Sequence, residues 1–357
     1  MMTPTLPLFI HQLGAQEDVI GLVIGAFTIS ALLVRPFAGR YIDTRGRKGI
    51  YLTGLTIVII SIFCYTLIPM ISTLIALRVL HGVGWSASTT AASTIAIDAI
   101  PKQKLGEGMS YFGLTSVFAL AMAPAIGLEI FYRWGFHTVC YIAMTFAIGG
   151  VLLALGIHTQ KIKPASQPGQ KRNLFEKQAY LPGMLMFLVA LTFGSVMAFI
   201  AIYAMEFNIQ NIGMFFTSYA ISLLLTRPFI GKLIDRKGFS ATLIPGICCL
   251  LATFPFLVFA QNFYFFIAAA IVYGLGMSAV QPTLQTMAVF GVPPERRGAA
   301  SSTFMCGFDL GMGMGTMLWG MIAKTFSLSV MYACNMVPPL IALTIYLLHL
   351  RKEKSIL

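Results

Sequence analysis

Charge is scarce in this sequence. Only 10% of its 357 residues are charged, against roughly 25% in an ordinary soluble domain, which excludes a water-soluble globular protein. Acidic residues are the scarcest, 12 against 24 Lys and Arg. No P-loop, no HExxH and no histidine pair at haem-like spacing occurs, so nothing supports an integral-membrane enzyme. Six cysteines (Cys64, Cys140, Cys248, Cys249, Cys306 and Cys334) form no CxxC pair and no metal-ligand spacing. All lie within apolar runs, where buried structural thiols are expected, and neither a metal nor a cofactor is implied. Residues 1 to 18 contain no Lys or Arg, so the basic start of a signal peptide is missing.

What the sequence has is apolar length. Hydrophobic residues make up 57% of the chain, and a membrane-crossing helix needs about 20 of them in succession. Such runs lie near residues 19 to 39, 49 to 69, 72 to 97, 109 to 131, 136 to 157, 180 to 205, 211 to 231, 240 to 260, 262 to 288, 299 to 323 and 327 to 350. The expected fold is therefore an all-α integral membrane protein with about eleven full spans. Residues 1 to 15 are apolar but too short to cross, and read as the outer end of a further helix. Alternate loops and the C-terminal tail hold 19 Lys and Arg, whereas the opposite loops hold only Arg133 and Lys324. Because cytoplasmic loops carry the basic excess, the C-terminus is expected in the cytoplasm. The same distribution explains the net charge of +12 as topology, with no nucleic-acid partner. Residues 158 to 178, the longest polar stretch, read as a flexible cytoplasmic linker. They divide an N-terminal helical bundle (1 to 157) from a C-terminal one (179 to 350), followed by a tail (351 to 357).

The chain repeats itself. Arg35 to Gly46 (RPFAGRYIDTRG) and Arg227 to Gly238 (RPFIGKLIDRKG) agree at seven of twelve positions. The same 192-residue offset aligns Ser30 with Ser222, Gly82 with Gly274, Gly84 with Gly276, Pro101 with Pro293 and Gly106 with Gly298. Six spans fit within that offset, so the two copies run the same way across the membrane, as in transporters built from parallel repeats.

At these residues the chain resembles the major facilitator superfamily, in its drug-exporter-like twelve-helix branch. Gly39 to Lys48 is similar to the family's loop signature between its second and third helices, and Gly231 to Gly238 to a weaker second copy. Arg78 to Gly84 (RVLHGVG) resembles the arginine-glycine motif of the fourth helix. The resemblance implies two pseudo-symmetric bundles moving a small molecule by alternating access. It also implies a conformational latch built on Gly39, Asp43, Arg45, Gly46 and Arg47, repeated at Gly231, Asp235 and Gly238, which closes the cytoplasmic side. By charge alone, Asp43 can face the positive N-terminus of another helix, and the run from Gly298 to Ser302 begins such a helix.

Asp309 is the only acid near the middle of a span. An ionised carboxylate there must be paired, hydrated or protonated, which makes Asp309 a candidate for proton coupling, or a structural partner for a cation. Arg78, His81 and Trp85 share one face of a helix. The resemblance associates Arg78 with proton coupling, while His81 and Trp85 are candidates for the substrate cavity or for packing. Ser278, Gln281 and Gln285 lie on one face beside Pro282, a second cavity candidate. The fifth span (Ala119 to Gly127) has alanine where the family's antiporter motif has glycine, which leaves the direction of transport open. The expectation is a secondary transporter in the cell membrane, exporting a small amphipathic molecule against protons. Proton-symport uptake of a metabolite, or a membrane sensor or accessory protein without transport, remain alternatives.

Overall fold

The computed structural model describes residues 1 to 14, 17 to 67, 70 to 157, 173 to 209 and 212 to 356. Among them there are helices and no strands. The elements are α1 (Met2–Gln12), α2 (Glu17–Arg45), α3 (Arg47–Leu67), α4 (Ile71–Ala99), α5 (Leu105–Leu155), α6 (Tyr180–Glu206), α7 (Gly213–Lys237), α8 (Ser240–Val258), α9 (Phe263–Val289), α10 (Arg297–Thr325), α11 (Leu328–Cys334) and α12 (Val337–Ile356). Eight segments among the described residues are long and apolar enough to cross a membrane. The other expected spans coincide with α4, with the first part of α5 and with α10. Arg78 and His81 in α4, and Asp309 in α10, dilute the apolar character of their runs.

One expected break, between the runs ending at 131 and starting at 136, lies inside a continuous helical segment. The 51 residues of α5 would reach about 76 Å if straight, far beyond a hydrocarbon core of about 30 Å. Gly135, at φ 79° and ψ 175°, divides α5 into two passes, a backbone conformation open to glycine at little cost. The last apolar run is also divided, into α11 and α12. The Asn335 side chain covers that break, donating from Nδ2 to the Met331 carbonyl (2.9 Å) and accepting from Ser195 Oγ (2.7 Å). In a membrane such backbone breaks need an internal partner.

By packing, the chain forms two compact units. The first comprises residues 1 to 99, 118 to 177 and 291 to 303, and the second 100 to 117, 178 to 290 and 304 to 357. In the first unit α4 packs on both α2 and α3. Leu6, Phe9 and Ile10 of α1 are buried against Val58, Ile62, Tyr65, Leu74, Phe136 and Val139, with the Phe9 and Phe136 rings stacked at 4.1 Å. In the second unit α9 takes the central place, packing on α6, α7 and α8.

The sequence repeat is also a repeat of contacts. A Cβ on Gly82 would collide with Ser30 of α2, and one on Gly274 would come within 2.7 Å of the Ser222 Cβ of α7. These pairs are related by the same offset of 192, and small residues here let two backbones meet.

Cysteine burial differs from expectation. Cys140 is buried, Cys248 is exposed and the other four are half-buried. An apolar run fixes membrane depth, not side-chain burial, because lipid tails are as apolar as a protein core. The linker was expected to be flexible. Its residues 158 to 172 lie outside the described residues, whereas 173 to 176 are held by hydrogen bonds described below.

Candidate functional site: two carboxylate latches and the polar groups within the spans

Pro101 and Pro293 hold extended backbone (ψ 142° and 150°), and each is followed by one 3-10 turn and then a long helix. Proline cannot continue a helix backwards through its own nitrogen. Both α5 and α10 therefore begin abruptly, with first-turn amides that no preceding turn satisfies.

A carboxylate caps each start. Asp43 Oδ1 accepts from Gly298 N (2.8 Å) and Oδ2 from Ala299 N (2.9 Å). Asp235 Oδ1 accepts from Gly106 N (2.7 Å) and Oδ2 from Glu107 N (2.8 Å). Acceptors and donors are all related by the offset of 192. Each pair is charge-assisted and sits at the positive end of a helix dipole. Gly39 and Gly231, one turn before the carboxylates, permit the approach. A Cβ on Gly39 would lie 2.7 Å from the Gly298 carbonyl oxygen, and one on Gly231 2.7 Å from Glu107 Cα. Gly46 and Gly238, at φ 96° and 79°, follow the last residues of α2 and α7.

The surroundings of the two latches differ. Asp43 is 5% exposed, whereas Asp235 is exposed. Beside Asp43, buried Arg47 pairs with Asp98 and donates to the Pro294 carbonyl (2.6 Å). Asp98 also receives Arg297 Nη1 at 2.7 Å. Burial lowers the Arg297 guanidinium from its ordinary range, an effect opposed by the Glu295 charge. At the positions equivalent to Arg47 and Asp98 the second latch has Phe239 and Phe290, edge to face at 5.4 Å. One latch is set in an ionic network and the other beside an aromatic pair. Arg45 stacks on the Tyr41 ring at 4.8 Å and takes no part in the carboxylate bonds.

The start of α10 also holds the linker. Arg296 donates to Glu176 Oε2 (2.7 Å), the Asn173 carbonyl (2.9 Å) and the Phe175 carbonyl (2.9 Å). The Glu176 amide donates to Thr303 Oγ1 (3.0 Å).

Within the spans, the face of α4 expected from spacing gathers around one ring. Phe27 of α2 lies 4.3 Å from the Arg78 guanidinium, 5.3 Å from the His81 ring and 6.3 Å from Trp85. Arg78 Nε donates to the Val23 carbonyl (3.3 Å), and His81 Nδ1 lies 3.2 Å from the Tyr65 hydroxyl. Arg78 and His81 are buried, whereas Trp85 is 45% exposed. Asp309 is half-buried. Gly307, Gly311 and Gly315 press α10 onto Gly183, Phe187 and Leu191 of α6. Asp309, two residues from Gly307 and from Gly311, points away from that contact.

Ser278, Gln281 and Gln285 do not share one environment. Ser278 is fully enclosed and its hydroxyl donates to the Leu275 carbonyl of its own helix (2.8 Å). Gln281 is half-buried and accepts from Arg227 Nη2 at 2.6 Å. Gln285 is half-buried one turn further on. The repeat-related Arg35 donates to Thr89 Oγ1 (3.3 Å) and Thr90 Oγ1 (3.4 Å), and Thr89 is the repeat equivalent of Gln281. Sequence reasoning did not single out Asp98, Arg296, Arg297, Phe27, Arg35 or Arg227. Arg35 and Arg227 carried a signal, since each is a cation inside an apolar run.

Among the described residues, no group of three or more His, Cys, Asp or Glu is placed to hold a metal ion.

Known proteins resemble this chain over most of its length. A staphylopine export protein of Staphylococcus aureus is 26% identical over 352 residues, covering 93% of this chain and 87% of that protein. The uncharacterized MFS-type transporter YhhS of Escherichia coli is 28% identical over 345 residues, covering 92% and 82%. Among solved structures, the human organic anion transporter MFSD10 superposes with TM-score 0.80 at 15% identity, over 94% of this chain and 87% of that one. A bacterial homologue of the iron transporter ferroportin, in an outward-facing state, also gives 0.80, at 16% identity over 97% and 93%. The family model described as Major Facilitator Superfamily matches residues 1–210 and 183–356, so this chain, an all-helical multi-pass membrane protein and not an enzyme, belongs to the Major Facilitator Superfamily of transporters.

Proposed function

We propose that this transporter exports a small amphipathic molecule across the cell membrane in exchange for protons, with its C-terminus in the cytoplasm. The duplicated carboxylate latch carries the reading. Asp43 and Asp235 each tie the end of one helix to the start of another that lies far away in sequence, so both ties must open if the cytoplasmic side is to open. The resemblance of Gly39 to Lys48 to the family's loop signature supports reading the latched arrangement as the one that closes the cytoplasmic side.

Asp309 is the coupling group. A charged carboxylate in a dry span is unfavourable, and a proton removes that charge. Loading from one side and release to the other would carry one proton per cycle against one solute. Export as the direction is supported by the named activity of the staphylococcal relative.

The test uses inside-out membrane vesicles energised to an acidic lumen, followed with a pH-sensitive acridine dye. Ethidium and 2-naphthoate, an amphipathic cation and anion, are added in turn. Proton release from the lumen evoked by at least one probe, only in vesicles containing the protein, is expected. Probe-evoked flux confined to right-side-out vesicles would replace export by uptake. No flux with either probe would remove the proton-coupled reading for amphipathic solutes of these classes.

A further inference from the structure

Arg227 of α7 is 3% exposed and lies in a span expected to cross the membrane. Its guanidinium has five N–H donors in a planar fork. Among the described residues it makes one hydrogen bond, from Nη2 to Gln281 Oε1 at 2.6 Å. Nε is fully enclosed without a partner, and no carboxylate of the described residues lies within ion-pair distance of the group. The Gln281 amide nitrogen likewise has no hydrogen bond among them.

On its other side the guanidinium reaches the backbone of α5 at Gly113, where a Cβ would run into Nη1. Glycine leaves this space to the guanidinium. A buried cation with one neutral partner is an unfavourable arrangement, and a polar group of this kind inside a span marks a functional site by default. The rest of the sequence does not rebalance the charge. The spans contain Arg35, Arg78 and Arg227 against the single mid-span acid Asp309.

We infer that Arg227 and Gln281 hold a carboxylate group of the transported solute. One carboxylate oxygen meets the unused guanidinium donors, and the other meets the Gln281 amide nitrogen. Arginine suits this role because its fork matches a carboxylate in two-point fashion. The inference names the chemical class of the solute and so rests on the transport reading, but its test is a binding measurement that needs no transport.

The full chain is purified in detergent and its unfolding followed by a maleimide coumarin that reacts with newly exposed cysteine, none of the six being in a disulfide. The probe is 2-naphthoate, with 2-naphthamide as its neutral isostere and chloride at matched ionic strength. Saturable stabilisation by 2-naphthoate, absent with the other two, is expected. Arg227→Gln should weaken half-saturation at least tenfold, and Arg227→Lys should retain part of the response. Gln281→Glu supplies a built-in carboxylate beside Arg227, so it should raise the unliganded melting temperature and abolish the naphthoate response. This last variant keeps the test open if Arg227→Gln fails to fold.

Equal stabilisation by 2-naphthamide would overturn the inference, as would a saturable chloride response of the same size. So would an unchanged naphthoate response in Gln281→Glu. Binding without proton flux would instead sink the exporter reading and leave the site standing.

Discussion

Replacing Asp43 by asparagine probes the first latch at one atom. The side chain keeps its shape and one acceptor, but its Nδ2 now points a donor at a backbone N–H that Asp43 had satisfied. One charge-assisted hydrogen bond is lost, worth about 1.5 to 3 kcal/mol. The charge at the α10 N-terminus is lost as well, worth about 0.3 to 2 kcal/mol. Because Asp43 is buried, water offers little compensation; the two contributions count the same charge in part, so they sum to less than their upper limits, and a combined shift of about 2 to 4 kcal/mol toward the unlatched form follows. At about 1.4 kcal/mol per tenfold, the unlatched population rises roughly 30- to 700-fold. Asp235→Asn loses the equivalent bond at an exposed carboxylate, where screened pairs contribute about 0.2 to 1 kcal/mol, a change of about fivefold or less. Ser301 is a suitable reporter, since it is buried in the first turns of α10 and its hydroxyl has no partner among the described residues. With native cysteines replaced and Ser301→Cys introduced, maleimide labelling in detergent should accelerate at least about thirtyfold in Asp43→Asn and only slightly in Asp235→Asn. An unchanged rate in Asp43→Asn, or a larger effect at Asp235, would mean that the buried carboxylate does not hold the start of α10.

Arg296→Ala removes three hydrogen bonds to residues 173 to 176, so trypsin should cut at Lys177 faster than in the parent protein; an unchanged cleavage rate would mean that Arg296 does not hold the linker end. Gly274→Val drives a branched side chain into Ser222, and overpacking of this kind costs about 1 to 3 kcal/mol or more; a lower melting temperature is expected, and no change would contradict the close contact. A cysteine added after Leu357 should resist an impermeant thiol reagent in intact cells and label only in broken ones, whereas rapid labelling in intact cells would reverse the topology.

Membrane architecture was legible because apolar length is written directly in the chain. The run expected over 180 to 205 is α6, Tyr180–Glu206, and the interruption near Gly135 appears as a positive φ. Asp43 and its target were readable too, since a carboxylate at the end of one helix and the amides from Gly298 onward at the start of another both follow from helix-end electrostatics. The offset of 192 even aligned Gly106 with Gly298 before either was seen to receive a carboxylate. What was not legible is pairing at a distance. Arg47 and Asp98, Arg297 and Asp98, and Arg227 and Gln281 are joined by folding, and no local periodicity encodes such partners. The division between α11 and α12 was missed although Pro338 and Pro339 begin the second piece. The split fate of Ser278 and Gln281 was equally hidden, because spacing gives a shared helix face but not what covers it.

Proton coupling through Asp309 has one direct test. The direct measurement is uptake of 2-naphthoate into inside-out vesicles, made once with an imposed pH difference and once as exchange without one, in the parent protein and in Asp309→Asn. The variant is expected to lose accumulation against a gradient while retaining exchange. Full pH-driven accumulation by Asp309→Asn would contradict it and leave Asp309 a structural residue.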